Sequence, residues 1–357
     1  MSDRPVGVGV VGHGYWGPRL VRNFQNADTT RAVAICEHDE NRRKLARQAN
    51  PSLPVVTEVE ELLAIPEVEA VAIATPVATH HPLAKKALLA DRHVLVEKPI
   101  TRSAEEGAEL IRLARERKRT LMVDHTFLFT PAVQKLRELM ESEELGELLY
   151  YDSIRINLGL FQPDVDVIWD LAPHDLSILD FVIPHRPRRI SAIGASHSPS
   201  GLSDVAYVTL DFGDNLLGHL HLNWLAPMKV RQILIGGSKK MAVFNDILAD
   251  EKVRIYNRGI DIAGSEGRRT ITPDDREGRY QTLISYRTGD VYAPWLNRTE
   301  ALFSECSLFG RVIRDGSPFF NDGLSGLRVV LMLEAATRSL NSDGGFVDVA
   351  WDRLEDL

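Results

Sequence analysis

The chain has 357 residues, 44% of them apolar, with 42 basic against 50 acidic side chains and a formal charge of -8. That length suffices for two domains that each bury a core, and an acidic chain without a long Lys/Arg block argues against a nucleic-acid partner. The only cysteines, Cys36 and Cys306, cannot build a disulfide framework and point to a reducing, cytoplasmic setting, while no apolar run of membrane-span length or signal-type segment points to a membrane or to export.

From 6 to 123, segments of strand and helix character alternate, the pattern of a parallel sheet covered by helices. The first strand runs into Gly12-His13-Gly14-Tyr15-Trp16-Gly17 and then Pro18. Gly12 suits a tight turn, Gly14 lets backbone approach a pyrophosphate, and Gly17 lets the helix pack closely on the strand. The helix start at Pro18 offers free N–H groups to an anion. A second strand, 32–36, ends at Glu37, where a carboxylate can accept both ribose hydroxyls of an adenosine; the alternative is a solvated acid at a strand end. Glu37 favours NAD over NADP. Arg42 and Arg43 just beyond it either cover a solvated helix face or serve a 2′-phosphate.

Further strands are expected at 54–56, 68–74, 93–96 and 120–123, with helices at 40–49, 58–64, 79–90 and from a Ser103 cap to 118. Strand 68–74 stops at Thr75-Pro76 and strand 93–96 at Glu97-Lys98-Pro99, the ends at which ligands approach such sheets. Thr130-Pro131 opens a helix to about 144. Beyond 148 the texture changes to alternating strands at 149–157, 189–195, 205–212, 216–224, 231–235 and 240–244, whose hairpin-like spacing predicts a largely antiparallel sheet. A helix at 173–181, a polar surface loop at 261–280 and a closing helix at 324–340 complete the reading.

Lys98, at a sheet's carboxyl edge, can donate to a substrate hydroxyl and ease its deprotonation; otherwise it is a salt-bridged surface lysine. Asp170 and His174 stand one helical turn apart. Histidine is the usual proton carrier near neutral pH and a carboxylate can support it, yet Asp170 also reads as a helix cap before Pro173 and His174 as a satisfied core group. His80-His81 opens a helix beside Thr75-Pro76. His219 and His221 share one strand face without a third ligand, so no metal site is assigned. No nucleophile elbow supports acyl transfer.

Together, Gly12 to Gly17, Glu37, Ala74-Thr75-Pro76 with His80, Glu97-Lys98-Pro99 and Asp170 to His174 resemble the Gfo/Idh/MocA oxidoreductases, over nearly the whole chain. The resemblance implies an α/β protein with an N-terminal Rossmann domain (1–124) and a C-terminal α/β domain (125–357) built on a large, mostly antiparallel open sheet, the terminal helix able to pack back on the first domain. It implies NAD held by Gly12, His13, Gly14, Tyr15, Trp16, Gly17, Glu37, Thr75, Pro76, His80, Glu97 and Lys98. Lys98 and His174 would flank the reacting carbon, with Asp170 contacting substrate or orienting His174, and the chain would form a homodimer or homotetramer. His125-Thr126-Phe127-Leu128-Phe129 departs from the family pattern, in which arginine and tyrosine often replace the last two. Within the family the phrases around Tyr15-Trp16, Leu158-Gly159 and Asp170 to Leu176 are most similar to members oxidising C3 of nucleotide-linked sugars. Free-sugar or cyclitol dehydrogenases, NAD-dependent glycosidases and non-catalytic dinucleotide-binding regulators are the alternatives. Amides read hydroxyls and indole faces suit sugars, so Asn157, Gln162, Trp169, Asn223, Trp224 and Trp295 are the substrate-pocket candidates.

Overall fold

The computed structural model describes residues 4–159, 164–262, 284–355 and 357. β1 (Val6–Val11) is buried at every position, which only a strand covered on both faces allows, and its Val/Gly run has no polar side to offer water. Around it β2 (Thr30–Cys36), β3 (Val55–Val56), β4 (Ala70–Ile73), β5 (His93–Glu97) and β6 (Leu121–Asp124) form a six-stranded sheet in the order β3-β2-β1-β4-β5-β6. Every pairing in it is parallel. The order reverses between β1 and β4, so the crevice at their carboxyl ends is the place for a ligand. The helices α1 (Gly17–Asn26), α2 (Glu40–Ala49), α3 (Val59–Leu63), α4 (His80–Leu89) and α5 (Ala104–Glu116) connect the strands. Local capping sets their starts: the Asp39 side chain accepts from Arg42 N and that of Ser103 from Glu106 N.

After a short 3-10 turn (Thr126–Phe129) and α6 (Pro131–Glu141) come β7 (Leu148–Leu158), α7 (Val167–Val182), β8 (Arg189–Ala195), β9 (Val205–Gly213), β10 (Leu216–Asn223), β11 (Leu225–Gly237), β12 (Met241–Asn245) and β13 (Val253–Tyr256). With β16 (Val291–Tyr292) and β17 (Val347–Asp348) they make a nine-stranded sheet, while β14 (Gly259–Ile262) and β15 (Ile284–Arg287) pair separately. The sheet is mostly antiparallel, but β7 and β10 run parallel, because the β8-β9-β10 meander is laid beside β7 on the side away from β11. α7 covers one face: Tyr151, Ser153 and Arg155 of β7 are buried beneath it in strict alternation.

α7 starts well before the expected 173, with Pro173 inside it. The Asp166 side chain caps it by accepting from Trp169 N at 2.9 Å, and burial of most of its length outweighs the proline penalty. Asp170 therefore lies in the first turn and is not the cap. α8 (Ala301–Asp315) had no counterpart in the sequence reading. It returns to the first sheet, with Phe309 against Phe24 at 6.3 Å and Arg314 bonded through both terminal nitrogens to Glu69. α9 (Gly323–Leu340) packs on α5, α7 and β8, and Asn321 just before it donates to the Val123 carbonyl. Of the loop expected at 261–280, only 261–262 falls among the described residues, within β14. No described helix is long and apolar enough to cross a membrane.

Candidate active site

At the end of β1, Gly12 has φ +92°, and a Cβ there would stand 2.6 Å from the Ala74 carbonyl oxygen. A Cβ on Gly17 would come within 2.0 Å of the Gly12 oxygen. Both glycines are required by the protein's own packing. Gly14 differs: its nearest neighbour would be Arg42 Nη1 at 3.6 Å, so its bareness leaves space for something other than protein. Glu37, 3% exposed, accepts from His13 N at 2.6 Å and Asp39 N at 3.0 Å. Two amides thus hold a carboxylate beside the turn, and its remaining lone pairs stay available for ribose hydroxyls. Arg43 donates to the Glu37 carbonyl at 3.0 Å. Tyr15 is 71% exposed under the Arg19 guanidinium, 3.9 Å from its ring centre. This cradle fits the dinucleotide. Gly14→Ala is expected to leave the melting temperature unchanged and to weaken NAD binding about tenfold or more, read by thermal unfolding and calorimetry on one preparation.

The two strand ends are fastened together. His80, buried, lies between the Pro99 carbonyl (Nδ1, 2.9 Å) and the Thr75 carbonyl (Nε2, 2.8 Å). Burial depresses its pKa, and a neutral imidazole donates to one of the two. His80 therefore braces the Thr75-Pro76 and Lys98-Pro99 ends against each other. Lys98, before a cis proline, reaches across to α7, where Nζ donates to the Asp170 carbonyl at 2.8 Å and stands 3.8 Å from Asp170 Oδ1. Pro173 removes the helix bond that the Trp169 carbonyl would accept, and in that same turn the Asp170 carbonyl serves the lysine. Asp170 Oδ2 accepts from Trp224 Nε1 at 3.1 Å. Asp170 is thus paired with Lys98 and Trp224, and no hydrogen bond joins it to His174 among the described residues.

His174 projects one turn further along α7, with Phe127 edge-on at 5.1 Å. Beneath Phe127 lies the Arg155 guanidinium, 4.8 Å from its ring centre and clamped by Asp175 at 2.7 and 3.0 Å. Tyr151 OH donates to the Asp175 carbonyl. Burial holds the His174 pKa well below its ordinary value, and the charges of Lys98, Arg155 and Arg231 push it further the same way. The imidazole is neutral at pH 7, the state a base requires.

Glu97, expected at the cofactor, turns inward. It is buried and hydrogen-bonded to Asp124, which also bonds Glu305 of α8. Thr126 donates to Asp124 at 2.5 Å and Asn321 to Glu305 at 2.9 Å. Burial, followed by the neighbouring Asp124, raises the pKa of both Glu97 and Glu305 well above the usual carboxylate range. Folding therefore binds protons here. The stability this contributes is complete below the unfolded value near 4.5 and is lost as pH rises toward the elevated folded values. Glu305→Gln, which can donate to Asp124 without a titratable proton, is expected to raise stability at pH 8 by about 1–2 kcal/mol and to change little at pH 4.5, in denaturant unfolding at both pH values.

The substrate candidates divide. Asn157 shares the inner face of β7 with Arg155, half-buried. Trp224 is buried on Asp170. Trp169 spends its indole N–H on Thr337 Oγ1 at 2.8 Å. Asn223 lies on the outer face of β10, by alternation with buried Leu220 and Leu222, so it does not face α7. His219 and His221 share that outer face, where His221 stacks on Tyr207. Gln162 lies outside the described residues. Trp295 is 87% exposed on the rim of a separate cavity. Sequence reasoning missed Phe127, Arg155, Arg231 and Glu305. For Arg155 a signal existed: an arginine in the buried register of an alternating strand demands a carboxylate, and Asp175 adjoins His174.

A parallel sheet with the reversal at β1/β4, a glycine turn, and a lysine at its carboxyl edge that reaches the helix carrying His174 fit a dinucleotide-dependent oxidoreductase. Residues 6–125 match the oxidoreductase family with NAD-binding Rossmann fold, Gfo/Idh/MocA, and residues 133–243 match the C-terminal domain of the same family. Together these matches span more than half of the chain, which belongs to the Gfo/Idh/MocA family and is an NAD-binding oxidoreductase. The UDP-N-acetylglucosamine 3-dehydrogenase of Acidithiobacillus ferrooxidans is 28% identical over 90% of this chain and 93% of that protein. Its solved structure superposes with a TM-score of 0.75 at 25% identity, covering 94% of this chain and 97% of that one. An uncharacterized oxidoreductase of Synechocystis is 40% identical over 40% of this chain and 38% of its own length. An enzyme of gentamicin A biosynthesis solved with NAD shares the fold, with TM-score 0.79, 22% identity and coverage of 97% and 96%.

Proposed function

We propose that the protein transfers a hydride between NAD and a secondary alcohol or ketone of a sugar, C3 of a nucleotide-linked sugar such as UDP-N-acetylglucosamine. The observation that carries this reading is that Lys98, at the carboxyl edge of the sheet that carries the glycine turn, reaches across to the Asp170 carbonyl of α7, one turn before a neutral His174 whose charging it opposes. When bound, the nicotinamide supplies the hydride acceptor, or donor in reverse, at its C4. His174 takes the hydroxyl proton as the carbinol is oxidised. Lys98, held by the Asp170 carbonyl, donates to the developing oxyanion. Phe127 covers the imidazole and limits water around it. In ketone reduction the protonated His174 returns the proton. Gly12 to Gly17 and Glu37 bind the cofactor, and His80 and Glu97 brace its strand ends.

The test is NADH formation by the purified protein across free sugars, cyclitols and nucleotide sugars. Turnover confined to nucleotide sugars supports the reading, and turnover of cyclitols alone replaces it. We assign the protein to the cytoplasm, where Cys36 and Cys306, both buried and unpaired, stay reduced. The outer sheet face exposes Ile193 and Tyr207, which pair across β8 and β9, and Leu217 further along the same face of β10. Such a face fits pairing with a second copy, measurable by sedimentation.

A further inference from the structure

Trp224 is the one residue between β10 and β11, and only 1% of it is exposed. Its place is fixed from several sides. The backbone N–H donates to the Asp204 carbonyl at 2.9 Å, and the Trp224 carbonyl accepts from Gly159 N at 2.9 Å. A Cβ on Gly159 would stand 2.4 Å from indole Cδ1, so the ring occupies space that a side chain there would fill. A buried indole spends its N–H on a partner, and here the partner is Asp170 Oδ2 at 3.1 Å.

Asp170 is shared between that donor and Lys98. Lys98 Nζ donates to the Asp170 main-chain carbonyl at 2.8 Å, its one hydrogen bond among the described residues, and lies 3.8 Å from the carboxylate Oδ1. The second separation is too long for a hydrogen bond. An ammonium and a carboxylate that are free to meet close to about 2.7–2.9 Å, and with the two side chains 14% and 24% exposed water screens their attraction weakly. The pair nevertheless stands open, with the indole N–H on the other carboxylate oxygen. An ammonium has three donors. A closed ion pair would consume a second one and keep it from any substrate.

We propose that Trp224 is a positioning residue for the reaction: its N–H tethers the Asp170 carboxylate short of Lys98, so that Nζ keeps a donor for the substrate oxygen. The inference rests on the reading of Lys98 as donor to the developing oxyanion and adds the group that keeps that donor unspent. The carboxylate's charge stays beside the ammonium, while the hydrogen bond is left for the transition state, in which the substrate oxygen becomes the stronger acceptor. In this role the indole acts only through Asp170.

The test pairs crystal structures of the NAD-loaded protein with steady-state kinetics on the sugar that forms NADH most readily. Trp224→Phe keeps an aromatic ring and removes the N–H. The distance from Nζ to Asp170 Oδ1 is expected to close to about 2.8 Å, and kcat to fall about tenfold or more with KM within about threefold of wild type. Gly159→Ala, which must displace the indole, is expected to move both quantities in the same direction. In an Asp170→Asn background, where no carboxylate remains to be tethered, Trp224→Phe should change kcat less than about twofold. An equal loss of kcat with and without the Asp170 carboxylate, or a kcat within twofold of wild type in both single variants, overturns the proposal. An unchanged distance in both variants of a protein that oxidises sugars would remove the tether and leave the proposed reaction standing. Closure of the distance in a protein that oxidises none of them would support the tether and remove the proposed reaction.

Discussion

Lys98→Met is expected to lower the turnover number for sugar oxidation by about three orders of magnitude, with the NAD dissociation constant within about threefold of wild type. The ammonium is largely shielded, its side chain 14% exposed, so a hydrogen bond from it to an oxyanion acts in a medium that screens it weakly. Methionine keeps the aliphatic length and removes only the donor and its charge. Asp170 loses its cation but keeps Trp224 Nε1 and is itself 24% exposed, so hydration limits the damage to the fold. Steady-state kinetics and calorimetry on the same preparation decide the matter. A turnover number within tenfold of wild type removes Lys98 from the chemistry.

His174→Ala is expected to cost 10²- to 10⁴-fold in the same assay, the usual range for losing a positioned general base. The wild-type pH profile carries an independent signature. The base acts in its neutral form, so oxidation fails only as pH falls through its pKa. Burial and three cations hold that pKa well below 6.5, and the oxidation rate is therefore expected to stay level while pH drops past 6.5, down to the limit of the protein's stability. Ketone reduction needs the imidazolium and should still be gaining as pH falls through that range. An acid limb centred at 6.5 in the His174-dependent oxidation rate would contradict the environment described for the imidazole. The alanine variant should lose the profile along with the rate, which separates the histidine from other titrating groups.

The cofactor half was legible in the chain because its signals are local. Gly12 needs its positive φ and Gly17 its missing Cβ within one turn of sequence, and the buried run of β1 announces a strand covered on both faces. Lys98 and His174 were legible as residue types at strand-end and helical positions, and the family resemblance raised them above their structural alternatives. α7 was legible only in part, since Pro173 reads as a helix start until the packing of its neighbours is known. α8 gave no comparable signal, and with it went Glu305, whose partners Asp124 and Asn321 come from β6 and the segment before α9.

By itself, then, the sequence determined the α/β class, the glycine turn with Glu37 near it, and the residue types proposed for the chemistry, because backbone geometry and periodic burial act over a few neighbouring residues. Only the tertiary structure decided which groups meet. Lys98 takes the Asp170 carbonyl, Asp170 turns from His174 to Trp224, and Glu97 withdraws into a buried carboxyl cluster. It decided the basicity of His174 as well, for the charges that set it, on Lys98, Arg155 and Arg231, come from three different strands or strand ends. Electrostatic fields and desolvation depend on distance through space, and a sequence records distance only along the chain.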